Sequence, residues 1–121
     1  MKLRIRGNSV RLRLTQNEVE KIKELGLVEE KTEFPDGSVF TYSLNTSEMS
    51  EQPFAEFSNG NLQVFISDED AQNWVTSDET GIYGKDEKLQ ISVEKDFKCL
   101  TPRAEEEDAD TFPHPKSDAT C

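Results

Sequence analysis

Ser9-Val10-Arg11-Leu12-Arg13-Leu14-Thr15-Gln16-Asn17-Glu18-Val19 and Asn61-Leu62-Gln63-Val64-Phe65-Ile66-Ser67-Asp68-Glu69-Asp70-Ala71 align without a gap at a spacing of 52 positions. Each stretch alternates apolar and polar residues, the period of two that puts one side of a strand in a core. Each then meets a hydroxyl residue able to cap a helix, with a carboxylate three places later. Gly7-Asn8 precedes the first stretch and Asn59-Gly60 the second, turn residues that tolerate positive φ. A duplicated unit is the economical reading.

Outward from that pair, Leu3 and Ile5 alternate with Lys2, Arg4 and Arg6, so residues 2–14 read as a hairpin with its cations on one face. Thr15 and Glu18 form a capping box for a short helix over Thr15–Leu25, ended near Gly26. Pro35-Asp36-Gly37 joins two further strands, 28–34 and 38–44, as a second hairpin. The same order recurs in 54–97: strands 54–57 and 62–66, a helix behind Ser67 to Val75, strand 81–84, a turn at Lys85-Asp86-Glu87, and strand 89–93. The polar stretch between the copies reads as a linker over 45–53. The expected architecture is therefore mostly β, with two tandem ββαββ units, 1–44 and 54–97, forming one pseudo-twofold domain that ends near residue 100. Leu3, Ile5, Val10, Leu12, Leu14, Val19, Ile22, Leu62, Val64, Ile66, Ala71, Trp74, Ile91 and Val93 are expected inside, and Phe65 outside. From 101 to 121, prolines and acids replace the apolar periodicity and mark a tail.

The chain has 121 residues, 33% hydrophobic and 32% charged, with a formal net charge of −11. Its sign is unevenly spread. Residues 1–14 hold Lys2, Arg4, Arg6, Arg11 and Arg13 without an acid, a local +5, whereas 104–121 carry a local −5. Such asymmetry points to an interaction surface, or to two ends of one chain that meet. No apolar run approaches the length of a membrane span, and Met-Lys-Leu-Arg-Ile-Arg is not the apolar core of a signal peptide, so a cytoplasmic protein without membrane contact is expected. Two cysteines are too few for a disulfide framework.

Strand, Gly-Asn turn, strand, short helix, strand, Asp-Gly turn, strand is the order of the AbrB/MazE swapped-hairpin proteins, which this unit resembles. The first copy also resembles the MazE antitoxins at Arg6, Gly7-Asn8-Ser9 and Arg13, with Thr15 where that family usually has proline. The likeness covers residues 2–44 closely and 54–95 by pattern. Over its whole length the chain also resembles short acidic bacterial proteins. The AbrB/MazE resemblance implies two copies interlocked into one small barrel, a basic hairpin that contacts DNA, and an acidic extension that wraps a partner. A single copy of about forty residues buries too little to hold itself together, which independently calls for two. The tandem arrangement favours a monomer, with a swapped homodimer as the alternative.

For chemistry, the single histidine, His114, lies in the tail, and no serine or cysteine triad and no phosphate-binding glycine loop is present. Catalysis finds no support, and no cofactor is expected. Three features remain. Lys2, Arg4, Arg6, Arg11 and Arg13 form a candidate nucleic-acid or anion-binding face, or else they pair with the chain's own acids, which the net charge favours. Gln63 and Phe65 stand where the second copy would need Arg11 and Arg13, so symmetric DNA contact is impaired and any duplex binding is expected to be weak. Glu105, Glu106, Glu107, Asp108 and Asp110 around Phe112 form a candidate partner-binding segment. Cys99, His114 and Cys121 are soft ligands, but their spacing matches no short-range zinc pair, and unrelated residues or a labile disulfide explain them better. The favoured function is a non-catalytic, antitoxin-like protein-binding module. A DNA-binding regulator is the alternative, and an enzyme or metal-binding protein the third reading.

Overall fold

A computed structural model describes residues 1–49 and 51–97. The chain runs β1 (Lys2–Arg6), β2 (Ser9–Leu14), α1 (Gln16–Leu25), β3 (Leu27–Glu33), β4 (Val39–Ser47), β5 (Phe54–Ser58), β6 (Asn61–Ser67), α2 (Asp68–Thr76), β7 (Gly81–Asp86) and β8 (Leu89–Lys95). Both helices begin where the sequence indicates. The Thr15 hydroxyl accepts from the Glu18 amide at 3.4 Å while the Thr15 amide donates to Glu18 Oε1 at 2.9 Å, so two orphan helix donors are satisfied. Ser67 Oγ accepts from the Asp70 amide at 3.0 Å, the same cap without the return bond.

The strands form two four-stranded mixed sheets, ordered β1-β2-β8-β7 and β3-β4-β6-β5. The spacing of 52 carries the first hairpin onto the third in register: Lys2 opposes Arg13 as Phe54 opposes Phe65, and Leu3 opposes Leu12 as Ala55 opposes Val64. The central seams correspond too. β2 runs parallel to β8, with Leu12 beside Val93, and β4 runs parallel to β6, with Leu44 beside Val64. Each copy therefore contributes its first hairpin to one sheet and its second to the other.

The closed barrel expected from the resemblance is not formed among the described residues. Hydrogen bonding stops at β1 and β7 in one sheet and at β3 and β5 in the other. Where these edges approach, side chains and chain ends meet instead of backbone ladders. Buried Pro53, which has no N–H to offer a strand, lies over Gly84, and the Ala55 amide donates to Asp86 Oδ2 at 3.1 Å. At the position 52 residues earlier, buried Met1 takes the same role. Its ammonium is ion-paired with Glu18 and Glu30, and its carbonyl accepts from the Tyr42 hydroxyl at 2.8 Å.

The core lies on the inner faces of the sheets under the two helices, which pack on each other. Leu12, Leu14, Leu44, Val64, Ile66, Trp74, Ile91 and Val93 are almost wholly buried, and Trp74 donates its indole N–H to the Thr80 carbonyl at 3.4 Å. Met1, Val28, Leu44 and Ile82 join the expected set. Leu3 and Val19 are only half-buried. Ile5, expected inside, is 58% exposed, and its counterpart Phe57 is 65% exposed. Both point to the core side from the last turn-ward positions of edge strands, beyond the reach of the core.

Two boundaries also move. β4 continues through Asn45–Ser47, in the stretch expected to be linker, because a strand paired on both sides supplies partners that its polar side chains extend. Asn45 Nδ2 reaches Ser43 Oγ and the Val64 carbonyl, and the Thr46 amide donates to the Gly26 carbonyl at 3.0 Å. The last hairpin turns at Glu87-Lys88 rather than at 85–87, with Glu87 itself at φ 55°. Phe65 is half-buried on the outer face and stacks on Phe54, ring centres 4.5 Å apart.

Candidate anion-binding face

Alternation decides what the β1-β2-β8-β7 sheet shows to its outer side. Val10, Leu12, Leu14, Ile82, Ile91 and Val93 take the inner face. The intervening positions therefore bring Lys2, Arg4 and Arg6 of β1, Arg11 and Arg13 of β2, Glu94 of β8, and Tyr83 and Lys85 of β7 onto the other face. All five cations singled out in the sequence are thus brought together, and the exchange of hairpins adds Lys85 from the far end of the chain. Six cations share that face with Glu94 and, just past β8, Asp96.

Glu94 shows what such a face does with a carboxylate. Its Oε1 lies 3.4 Å from Arg11 Nε and 3.3 Å from Arg13 Nε, while Oε2 accepts from the Tyr83 hydroxyl at 2.7 Å. Partial burial and then this bond raise the Tyr83 hydroxyl above the ordinary phenol value, keeping it a donor. Lys2 Nζ pairs with Asp96 at 3.0 Å. Pairing with the chain's own acids, the alternative weighed from sequence, therefore occurs for Lys2, Arg11 and Arg13. Among the described residues, six cations on this face stand against two acids, with exposed Arg4 directly opposite Arg11 across the β1-β2 ladder. Like charges so placed repel unless an anion joins them.

The corresponding face of the other sheet is of different character. Phe54 and Phe65 stack where Lys2 and Arg13 would stand, Glu56 and Gln63 replace Arg4 and Arg11, and Glu29 and Glu33 face outward with Lys31. One fold carries two outer faces of opposite sign.

Glu94, Tyr83 and Lys85 were not singled out from sequence. Their signal was the polar phase of strands 81–86 and 89–95, but nothing in one chain's spacing says that this hairpin lies beside the first. Glu105, Glu106, Glu107, Asp108, Asp110, Phe112, Cys99, His114 and Cys121 lie outside the described residues. Among the described residues, no three histidine, cysteine or acidic side chains converge as metal ligands, and no helix is long and apolar enough to cross a membrane. A hollow of about 570 Å³ between β2, α1 and the end of β8 is lined by Leu14, Val19, Lys95 and Phe97 among others. A second, of about 300 Å³, lies between the helices. Neither lining contains a histidine, cysteine or serine.

A duplicated, hairpin-exchanged sheet pair with one cationic face is the class of structure in hand. Residues 1–116 match the model of DUF7009, a family of unknown function, and the chain belongs to that family. No curated protein and no solved structure matches it.

Proposed function

We propose that the protein is a non-catalytic binding module whose working surface is the outer face of the β1-β2-β8-β7 sheet, and that its partner is a protein presenting an acidic segment. The observation that carries this reading is the seat of Glu94, a carboxylate held by two guanidinium groups and a phenol on a face that retains excess positive charge. The acidic stretch Glu105–Phe112 is a second element of the same module, in the antitoxin-like manner suggested by the sequence. The exchange of hairpins between copies supports kinship with the AbrB/MazE swapped-hairpin proteins.

Duplex DNA is the second reading, favoured by Arg4 and Arg11 lying side by side on an exposed sheet. The net charge of −11 repels a phosphate backbone, and the opposite face has no matching cations, so a symmetric operator contact has only one competent half. Two-dimensional NMR of the full chain, titrated at 20 mM salt with a glutamate decapeptide and separately with a 12-base-pair duplex, tests the choice. Peptide-induced shifts should cluster on β1, β2, β7 and β8 and vanish in an Arg4→Glu/Lys85→Glu variant. Tighter binding of the duplex would replace this reading by the second, and peptide shifts centred on β3 to β6 would refute the assigned surface.

A further inference from the structure

We infer that this cationic face is covered in the free protein by the chain's own segment 105–110, so that a partner must displace an internal acidic competitor. The inference rests on the reading of that face as an anion-binding surface and adds its regulation.

Three observations support it. The first is where the chain leaves the sheet. The Asp96 amide donates to the Leu14 carbonyl at 2.8 Å and Lys2 Nζ holds the Asp96 carboxylate, so the backbone departs from β8 beside the end of β2, next to Lys2 and Arg13. The second is reach. Glu105 lies nine positions beyond Asp96, a span of up to ~30 Å, whereas a five-residue strand such as β1 is only about 17 Å long. Every cation on the face is therefore accessible to the segment. The third is charge. Glu105-Glu106-Glu107-Asp108-Ala109-Asp110 has five acids in six residues and no cation. The outer face of the β3-β4-β6-β5 sheet, with Glu29, Glu33 and Glu56, repels it.

The expected strength follows from tethering. A tether this short holds the segment at an effective concentration in the millimolar range. If its intrinsic dissociation constant at low salt is about tenfold below that concentration, an external acidic ligand is weakened about tenfold. Exposed charges are screened beyond a Debye length, so the effect collapses at high salt.

The test uses the full chain and a fluorescent glutamate decapeptide. Changing Glu105, Glu106 and Glu107 to Gln and Asp108 and Asp110 to Asn should tighten peptide binding about tenfold at 20 mM salt and less than twofold at 0.5 M. A control with Glu20, Glu24, Glu29, Glu33 and Glu56 changed to Gln has the same net charge and should shift affinity less than twofold. Carbodiimide coupling of the wild-type protein should join 105–110 to Lys2 and Lys85 rather than to Lys21, Lys23 or Lys31. Equal affinity of wild type and tail variant overturns the internal competitor while leaving the face intact. Failure of both proteins to bind the peptide overturns the anion-binding face and its internal competitor together. Equal gains in the tail variant and the control reduce the effect to net charge and overturn the inference, as does coupling centred on the other lysines.

Discussion

Gly84→Ala examines the contact that replaces barrel closure. A Cβ at position 84 would lie 2.6 Å from Pro53 Cδ and 2.7 Å from Cγ, against the 3.5–4.0 Å at which carbon atoms attract. The proline ring is rigid and its residue buried, so β5 and β7 must part by about 1 Å. Overpacking of this kind costs about 1–3 kcal/mol. Separation also stretches the 3.1 Å bond from the Ala55 amide to Asp86, worth about 1 kcal/mol more, for a total of roughly 2–4 kcal/mol. The control is Gly7→Ala, where φ is +52° and no atom lies within 4 Å. Its cost is the left-handed backbone alone, about 1–2 kcal/mol. Urea unfolding followed by the fluorescence of the single tryptophan should show a midpoint about 1–2 M lower for Gly84→Ala. Pro53→Ala removes Cδ and Cγ but keeps Cβ, 3.3 Å away, and in the double variant should return about 1–2 kcal/mol as coupling. A Gly84→Ala variant no less stable than Gly7→Ala, or a cycle with no coupling, would refute the docking of β5 on β7.

Trp74→Ala empties the largest fully buried site and should cost about 3–5 kcal/mol by urea titration, enough to leave a marginal domain largely unfolded. Thr15→Ala removes the hydroxyl that accepts from the Glu18 amide, while the Thr15 backbone amide keeps its bond to Glu18, and should cost about 0.5–2 kcal/mol, with loss of helical circular dichroism if α1 frays. The Met1–Glu18 pair predicts a two-sided pH profile. Burial alone would raise the Glu18 carboxyl, but hydrogen bonds from the Met1 ammonium and Thr15 hold it below its ordinary 4.5. Burial opposes the Met1 ammonium too, yet Glu18 and Glu30 hold it above its ordinary 8.0. Stability from Glu18 is therefore complete above pH 4.5 and lost as pH falls through its lowered value. That from Met1 is complete below pH 8.0 and lost as pH rises through its raised value. Glu18→Gln should flatten both flanks of the urea midpoint against pH, and unchanged slopes would remove the pair as their cause.

The repeat made the hairpins and helices legible because register, cap and turn are local properties, written in the same phase at Leu12 and Val64, Thr15 and Ser67. Partner choice was not. That β2 lies beside β8 and not beside its own copy's β4 depends on how two units bury each other, and no spacing in either unit encodes it. The same gap hid Tyr83, Lys85 and Glu94 from the candidate site. The expectation for Ile5 failed for a related reason, and its counterpart Phe57 is exposed in the same way: alternation states which side a residue faces, not whether anything covers that side so near a hairpin end. Met1 and Pro53 show the reverse case, residues without periodic signal that are buried because two sheet edges converge on them.

Hairpin exchange also sets an order of assembly. The β3-β4-β6-β5 sheet draws on residues 27–67 alone, whereas its counterpart joins residues 2–14 to residues 81–95. During synthesis the first hairpin made must wait for the last strand, since its parallel seam with β8 spans eighty-one positions between Ser9 and Gln90. Such distant pairing is slow to form, and chains grow at only about 5–20 residues per second. For several seconds on the ribosome, the arginine-bearing hairpin is therefore a cationic ribbon without its sheet, while every strand of the other sheet has already been made.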